Sequence, residues 1–345
     1  LADASSATLT ILNDDPAPPH NPANPLNLPT APAPGNPLAG ARLFVDPQSE
    51  AAKAAQSNPA LWTIAHEPGT QRFGFFTLGS PYVPDVGTAV SRYLARAELT
   101  SPGAVPQLAT YTLVHGVRGN GDPPDFVSRY HGFIDSFAAG IGSYRAVLFL
   151  EIDSIITAPG LNAHGQATRM GELNYAIDTL IAHCPHLVIY LDAGASDAAH
   201  ANVVAALLRR AGIAKIQGFL LNATHFDWTS KEIAYGNQIS RRTGGKHFVV
   251  NTGVNGQGPL APPDIVRDGN EVLCNPVGRG LGPKPTTHTG HTNVDMFAWT
   301  TNPGESGGQC QELGPRYELP GAPPTGDYWP KYAAMLVHNA AFRVR

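Results

Sequence analysis

Short apolar runs recur along the chain at residues 42–46, 73–78, 109–115, 146–153, 187–192, 218–222, 247–251 and 294–300. They are continuous rather than alternating, which is the pattern of strands covered on both faces. Between them lie stretches with helical spacing at 49–58, 86–97, 126–141, 169–183, 197–211 and 230–242. Strand and helix in alternation predict an α/β fold on a parallel sheet, either a barrel or doubly wound. Several strand runs end on a polar residue able to do chemistry: Asp153, Asp192, Asn222 and Asn251. Barrel enzymes carry their working groups at these C-terminal strand ends, all around one axis. A doubly wound sheet gathers them mainly at one crevice. Four polar strand ends favour a (β/α) barrel of seven to eight parallel strands, its active site at their C-terminal ends.

Upstream of this pattern the composition changes. Residues 16–35 are dense in Pro and Ala, which keeps a segment extended and without a core. They read as a linker, and the catalytic domain is expected over residues 36–345. Residues 6–15, Ser-Ala-Thr-Leu-Thr-Ile-Leu-Asn-Asp-Asp, alternate like a strand with an acidic end. This resembles the last strand of a calcium-binding Calx-beta module. Residues 1–15 are thus expected to be the tail of a neighbouring module in a longer chain, with an unrelated tail as the alternative.

A net charge of -4 with 14% charged residues offers no clustered Lys and Arg, so no nucleic-acid partner is expected. No apolar run approaches the roughly 18 residues that span a bilayer, so no membrane partner is expected either. The low charge with 36 Gly and 32 Pro suggests a loop-rich, secreted enzyme. Neither GxGxxG after the first strand nor a Walker motif is present, so no nucleotide cofactor is expected. Cys184, Cys274 and Cys310 show no CxxC spacing, and the 13 His are scattered, so no metal is expected. His115, His131 and His225 are candidates for lining a site, with surface placement as their default. A serine hydrolase is excluded by the absence of GxSxG.

The run Leu148-Phe149-Leu150-Glu151-Ile152-Asp153-Ser154 puts two carboxylates on one strand face, of which only Asp153 reaches the rim. A carboxyl group set beside buried apolar surface suits a general acid. Asp192 ends the run Val188-Ile189-Tyr190-Leu191-Asp192 in the same way. Helix capping is the alternative for both. Pro303-Gly304-Glu305-Ser306-Gly307-Gly308 is a glycine-rich turn carrying one carboxylate just after a strand. A Cys274–Cys310 disulfide would clip this turn to the loop at 273–279, worth roughly 4 kcal/mol in the chain-entropy view.

Taken in order, eight segments resemble glycoside hydrolase family 6, the inverting cellulases. They include Asn36-Pro37-Leu38-Ala39-Gly40, Glu151-Ile152-Asp153-Ser154 (family EPDS), Leu191-Asp192-Ala193-Gly194 (LDAGH) and Gly218-Phe219-Leu220-Leu221-Asn222 (GFxxN). Asn255-Gly256-Gln257-Gly258-Pro259, Cys274-Asn275-Pro276 and Pro303-Gly304-Glu305-Ser306-Gly307-Gly308 (PGESDG) follow. The resemblance implies a distorted α/β barrel binding a glucan in a cleft, with a polysaccharide or oligosaccharide as partner. It implies Asp153 as general acid. An inverting partner is expected about 6.5–9.5 Å away to activate water. The family carboxylate of ESDG falls on Gly307, and that of an RDC pattern on Gly119 or Asn120. Asp122 or Asp125 is expected to substitute for the RDC aspartate, which tunes the acid, and Asp192, Glu305 or Asp122 is left for the base role. Family sugar-stacking tryptophans fall on Leu273 and on Ala195 or its followers, which argues for a substrate shifted from cellulose. Trp62, Trp228, Trp299 and Trp329 remain, mostly expected in the core. Trp299, Asn222, Asn251 and Asn255 are the substrate-binding candidates. The alternative to a hydrolase is a carbohydrate-binding domain that has lost its chemistry.

Overall fold

The computed structural model describes residues 35–74, 85–117, 124–259, 266–267, 270–271, 274–309 and 318–342. Seven of the eight apolar runs contribute to one parallel sheet. Its strands are β1 (Thr70–Phe73), β2 (Gln107–Thr110), β3 (Ala146–Leu150), β4 (Leu187–Asp192), β5 (Gly218–Leu221), β6 (His247–Asn251) and β9 (Val294–Ala298). The order is β1-β2-β3-β4-β5-β6-β9, and β7 (Val266–Arg267) pairs with β8 (Asn270–Glu271) as a separate antiparallel hairpin. The eighth run, at 42–46, makes only a single bridge, Leu43 to Val105.

Both faces of the sheet are buried, as continuous apolar runs require. Leu148, Leu150, Ile189 and Leu191 face a core shared with α3 (Val86–Thr100), α5 (Phe126–Ile141), α6 (Ala163–His183), α7 (Ala201–Arg210) and α8 (Thr229–Arg242). Val147, Phe149, Tyr190, Leu220, Val249 and Met296 fill the inside of the curl. A third cluster joins α1 (Glu50–Ala55), α2 (Trp62–Ala65) and α9 (Pro330–His338) around Trp299 and Trp329.

The edge strands β1 and β9 meet through side chains instead of a ladder. Asn302 accepts from the Thr70 amide and donates to the Thr70 carbonyl, both at 2.8 Å. Thr70 Oγ1 donates to the Trp299 carbonyl at 3.0 Å, and Arg72 reaches the Thr300 carbonyl at 3.2 Å. The sheet is therefore a distorted barrel with one seam. At the base, fully buried Asp295 on β9 gathers Tyr190 Oη at 2.6 Å, Gln217 Nε2 at 2.9 Å and His247 Nδ1 at 2.7 Å.

Several boundaries differ from the sequence reading. The helix expected from 169 begins at Ala163, because the Asn162 side chain accepts the Gly165 amide at 2.8 Å and caps it. The strand expected over 109–115 stops at Thr110, and Leu113–Gly116 forms a helical turn, α4. The strand expected over 146–153 stops at Leu150, since Glu151 and Asp153 take left-handed φ of 50° and 64°. The expected module tail and linker, together with Asp122, Gly119, Asn120, Leu273 and Cys310, lie outside the described residues. No helix among the described residues is long and apolar enough to cross a membrane.

Asp295 is fully buried with three side-chain partners; Gln217 Nε2 keeps the Gly35 carbonyl at 3.0 Å, but removing Asp295 takes the acceptor from buried Tyr190 Oη and the carboxylate from His247. Asp295→Ala is expected to lower the unfolding free energy by about 3 kcal/mol, read from urea denaturation midpoints.

Candidate active site

The site begins with a buried carboxylate that does no chemistry itself. Glu151 is fully enclosed; its Oε2 accepts the Thr112 and Leu113 amides at 2.9 and 2.7 Å. These are free donors of the α4 turn, so the carboxylate caps it. Tyr130 Oη lies 3.3 Å from Oε1, and the Thr110 hydroxyl accepts the Glu151 amide at 2.9 Å. Burial pushes the Glu151 carboxyl up despite these bonds. Holding Glu151 inward bends the chain through two left-handed residues and delivers half-buried Asp153 to the rim.

Asp153 is held from two sides. Thr224 Oγ1 donates to its Oδ1 at 2.8 Å. Its own amide donates to Asp192 Oδ2 at 2.8 Å. Burial first, then the neighbouring charge of Asp153, raises the Tyr111 phenol well above its ordinary range. Asp192 is fully buried; burial first, then the charge of Asp153, pushes its carboxyl well above the usual range. Two adjoining carboxylates cannot both ionise cheaply.

Tyr111 also walls a cavity of about 1120 Å³ that runs along the barrel seam, with His115, Arg72, Asn302, Glu305 and Gly307 among its lining. Exposed His115 packs edge-on against Tyr111 with ring centroids 4.5 Å apart. Glu305 is oriented by Asn302 Nδ2 at 2.6 Å and by Arg72 at 3.3 Å. A β-carbon placed on Gly307 would lie 2.2 Å from the Cys274 carbonyl oxygen, so the loop at Cys274 has closed over this position.

The other candidates sit elsewhere. Asn222, at a left-handed φ of 67°, donates to the Asp227 and Asn251 carbonyls. Asn251 donates to the Asn222 carbonyl, and Asn255 to the Asp227 carbonyl and the Thr229 hydroxyl. All three amides are buried and join loop to loop rather than offering hydrogen bonds to a ligand. Trp299 is 1% exposed, with its indole N–H on the Pro283 carbonyl; it packs in the core and borders the seam cavity. His131 stacks on Tyr175 at 3.6 Å and pairs with Glu172, on the helices away from the rim. His225 pairs with Asp197 at 2.9 Å. Asp125 is exposed, facing Arg129 at 3.9 Å. Cys184 is a free, buried thiol. Tyr111, Thr224 and Arg72 were missed; only their nearness to strand ends could have suggested them.

A curled parallel barrel with carboxylates at its C-terminal rim and an open cavity beside them defines a (β/α)-barrel protein of the carboxylate-bearing class. The model for "Glycosyl hydrolases family 6" matches residues 87–340, and the chain belongs to that family. It is 29% identical to Endoglucanase A of Cellulomonas fimi over 86% of this chain and 61% of that protein. The chain thus spans about three-fifths of that relative's length. It is 30% identical to Endoglucanase 1 of Streptomyces halstedii, over 77% of this chain and 81% of that one. The endoglucanase Cel6 of Mycobacterium tuberculosis, solved with a thio-linked cellobiosyl cellobioside, superposes with a TM-score of 0.75 at 35% identity, covering 88% of this chain and 99% of that one.

Because the folded state holds the Asp192 proton more tightly than the unfolded chain, its contribution to stability is complete below the ordinary aspartate range. That contribution is lost as pH rises towards the elevated folded value, by at most about 1.4 kcal/mol per unit. Asp192→Asn keeps an acceptor for the Asp153 amide without the charge. Its stability relative to the parent is expected to improve between pH 5 and pH 8, measured by urea unfolding at both.

Proposed function

We propose that this domain is a glycoside hydrolase acting on a β-glucan-like polysaccharide, with inversion. The observation that carries the reading is the fixation of Asp153 by Thr224 and, through its amide, by Asp192, beside Tyr111, which walls the seam cavity. A side chain so restrained can present one oxygen to a glycosidic bond lying in the cavity. Asp153 serves as general acid, passing a proton to the departing oxygen. Asp192 is enclosed and acts on Asp153 rather than on substrate. Glu305 remains on the cavity wall with its two orienting partners, and takes the base role through a water.

The position of the family base supports this reassignment. Gly307 lacks a carboxylate, and the Cys274 carbonyl occupies the space a side chain would need. The stretch after Asp192-Ala193-Gly194, Ala195 and its followers, carries no tryptophan where a stacking one is expected. The exposed indoles are Trp62 at 37% and Trp228 at 45%; Trp62 stacks on His66 and Trp228 lies against the Gly258 backbone. Moving the aromatic platforms in this way fits a glucan other than crystalline cellulose. The likeness to endoglucanases supports secretion and a setting among neighbouring modules. Cys274 is disulfide-bonded and Cys184 is a free thiol, which supports the expected clip to Cys310, a residue outside the described ones.

The closed space at Gly307 also favours a second reading, a glycan-binding domain without turnover. A panel of cellulose, mixed-linkage and β-1,3-glucans, xylan and mannan separates the two. One glycan should release reducing sugar, and both Asp153→Asn and Glu305→Gln should lower the rate by roughly 10²–10⁴-fold. Binding with no product from any glycan, equal in parent and Asp153→Asn, establishes the second reading instead.

Gly307→Asp gives a separate check. Overpacking against Cys274 should cost about 1–3 kcal/mol of stability, seen in thermal unfolding, with no gain in turnover. A faster enzyme would show that Gly307 is simply a lost base.

A further inference from the structure

Three carboxylates far apart in the chain converge beside the active-site loops. Asp197 follows β4, Asp227 follows β5, and Glu232 lies in the first turn of α8. One oxygen from each lies within 4.8 Å of the others. Asp197 stands at the exposed mouth of the cluster, while Asp227 and Glu232 are buried beneath it.

Most of the surrounding donors are committed. Ser196 donates its amide to Glu232 Oε1 at 2.9 Å and its hydroxyl to Asp227 Oδ2 at 2.5 Å. The Trp228 amide donates to Asp227 Oδ1 at 2.7 Å. His225 sits 2.9 Å from Asp197, and the Tyr235 hydroxyl is turned to the Ala199 carbonyl. Lys231 reaches Asp227 at 3.2 Å, but its side chain is 60% exposed and free to swing away. The second oxygen of Glu232 has no hydrogen-bond partner, although the residue is wholly enclosed. An enclosed carboxylate oxygen with nothing to receive is costly, and native proteins rarely leave one so.

A small cation resolves this. Three oxygens within 4.8 Å of one another lie at most about 2.8 Å from a common centre, so small side-chain shifts bring all three to the roughly 2.3–2.6 Å of calcium–oxygen contacts. Carboxylate oxygens select hard cations over those that seek thiolate or imidazole. We propose that Asp197, Asp227 and Glu232 form a binding site for a hard divalent cation, calcium foremost. The ion would tie the β4 and β5 loops to the start of α8. Thr224, which holds Asp153 at 2.8 Å, lies on that same β5 loop. The site is therefore structural, and it steadies the residue that aims the acid.

The test uses the full chain, stripped with chelator and titrated with calcium chloride by calorimetry and by thermal unfolding. One-site binding is expected, with the midpoint rising about 4–8 °C at a hundredfold excess over Kd. Asp197→Asn and Glu232→Gln should each weaken binding tenfold or more and abolish the shift. Since both substitutions lie in the barrel, this loss separates the site from acidic residues elsewhere in the chain. Asp197 is at the surface, so its variant keeps the test informative if Glu232→Gln does not fold. Magnesium or manganese acting in calcium's place, with the same loss in the variants, also supports the site. No heat and no shift with any of the three cations, or equal affinity in parent and Asp197→Asn, overturns it.

Discussion

The structure turns on a seam. A sheet of seven parallel strands curls far enough to bring β1 and β9 together, yet the two are joined by side chains instead of a ladder. Asn302 and Thr70 supply the hydrogen bonds that a paired strand would otherwise make, which satisfies backbone groups that burial would leave exposed to no partner. The same gap is what makes room for a ligand. Gly69, Thr70 and Arg72 on one side and Asn302 to Gly307 on the other line the cavity directly. A fully paired barrel would fill this space with strand.

A second constraint converts backbone geometry into chemistry. Glu151 is drawn into the core by two amides of the α4 turn, and that inward pull is incompatible with continuing β3. The chain answers with left-handed conformations at Glu151 and Asp153, which non-glycine residues adopt only when their surroundings insist. Asn222 does the same at the end of β5, where it and Asn251 exchange amide hydrogen bonds. Strain is thus concentrated at the strand ends where Asp153 is aimed, and the covered strands beneath supply the rigidity to hold it.

The barrel was legible because its signal is local. Continuous apolar runs such as Ala146–Leu150 and His247–Asn251 announce strands buried on both faces, and the structure buries them there. What failed was the separation of polar residues that serve the backbone from those that could serve a ligand. Asn222, Asn251 and Asn255 end strands or open loops just as Asp153 and Asp192 do, but their amides bind carbonyls across neighbouring loops. Trp299 likewise reads as an aromatic at a rim; its ring is buried and its indole N–H is spent on the Pro283 carbonyl, though it borders the seam cavity. Nothing in the order of residues distinguishes these fates, because partner loops decide them. The three carboxylates at 197, 227 and 232 were invisible for the same reason: no spacing rule links them, and only the adjacency of β4 and β5 does.

The departures from the family pattern make more physical sense together than singly. At Gly307 the Cys274 carbonyl lies where a side chain would begin, so the two loops pack backbone to backbone. Glu305, two residues earlier on the cavity wall, takes its position from Asn302, the same residue that stitches β1 to β9. Asn302 therefore links barrel closure to the placement of Glu305, and a change there would disturb both at once. On the other flank, Ser196 beside fully buried Ala195 bridges Asp227 and Glu232. These bonds hold the loop after β4 against the start of α8, while Thr224 on the loop after β5 holds Asp153. Asp153 is thus steadied by loops that are themselves tied to one another, whereas Glu305 depends on the seam.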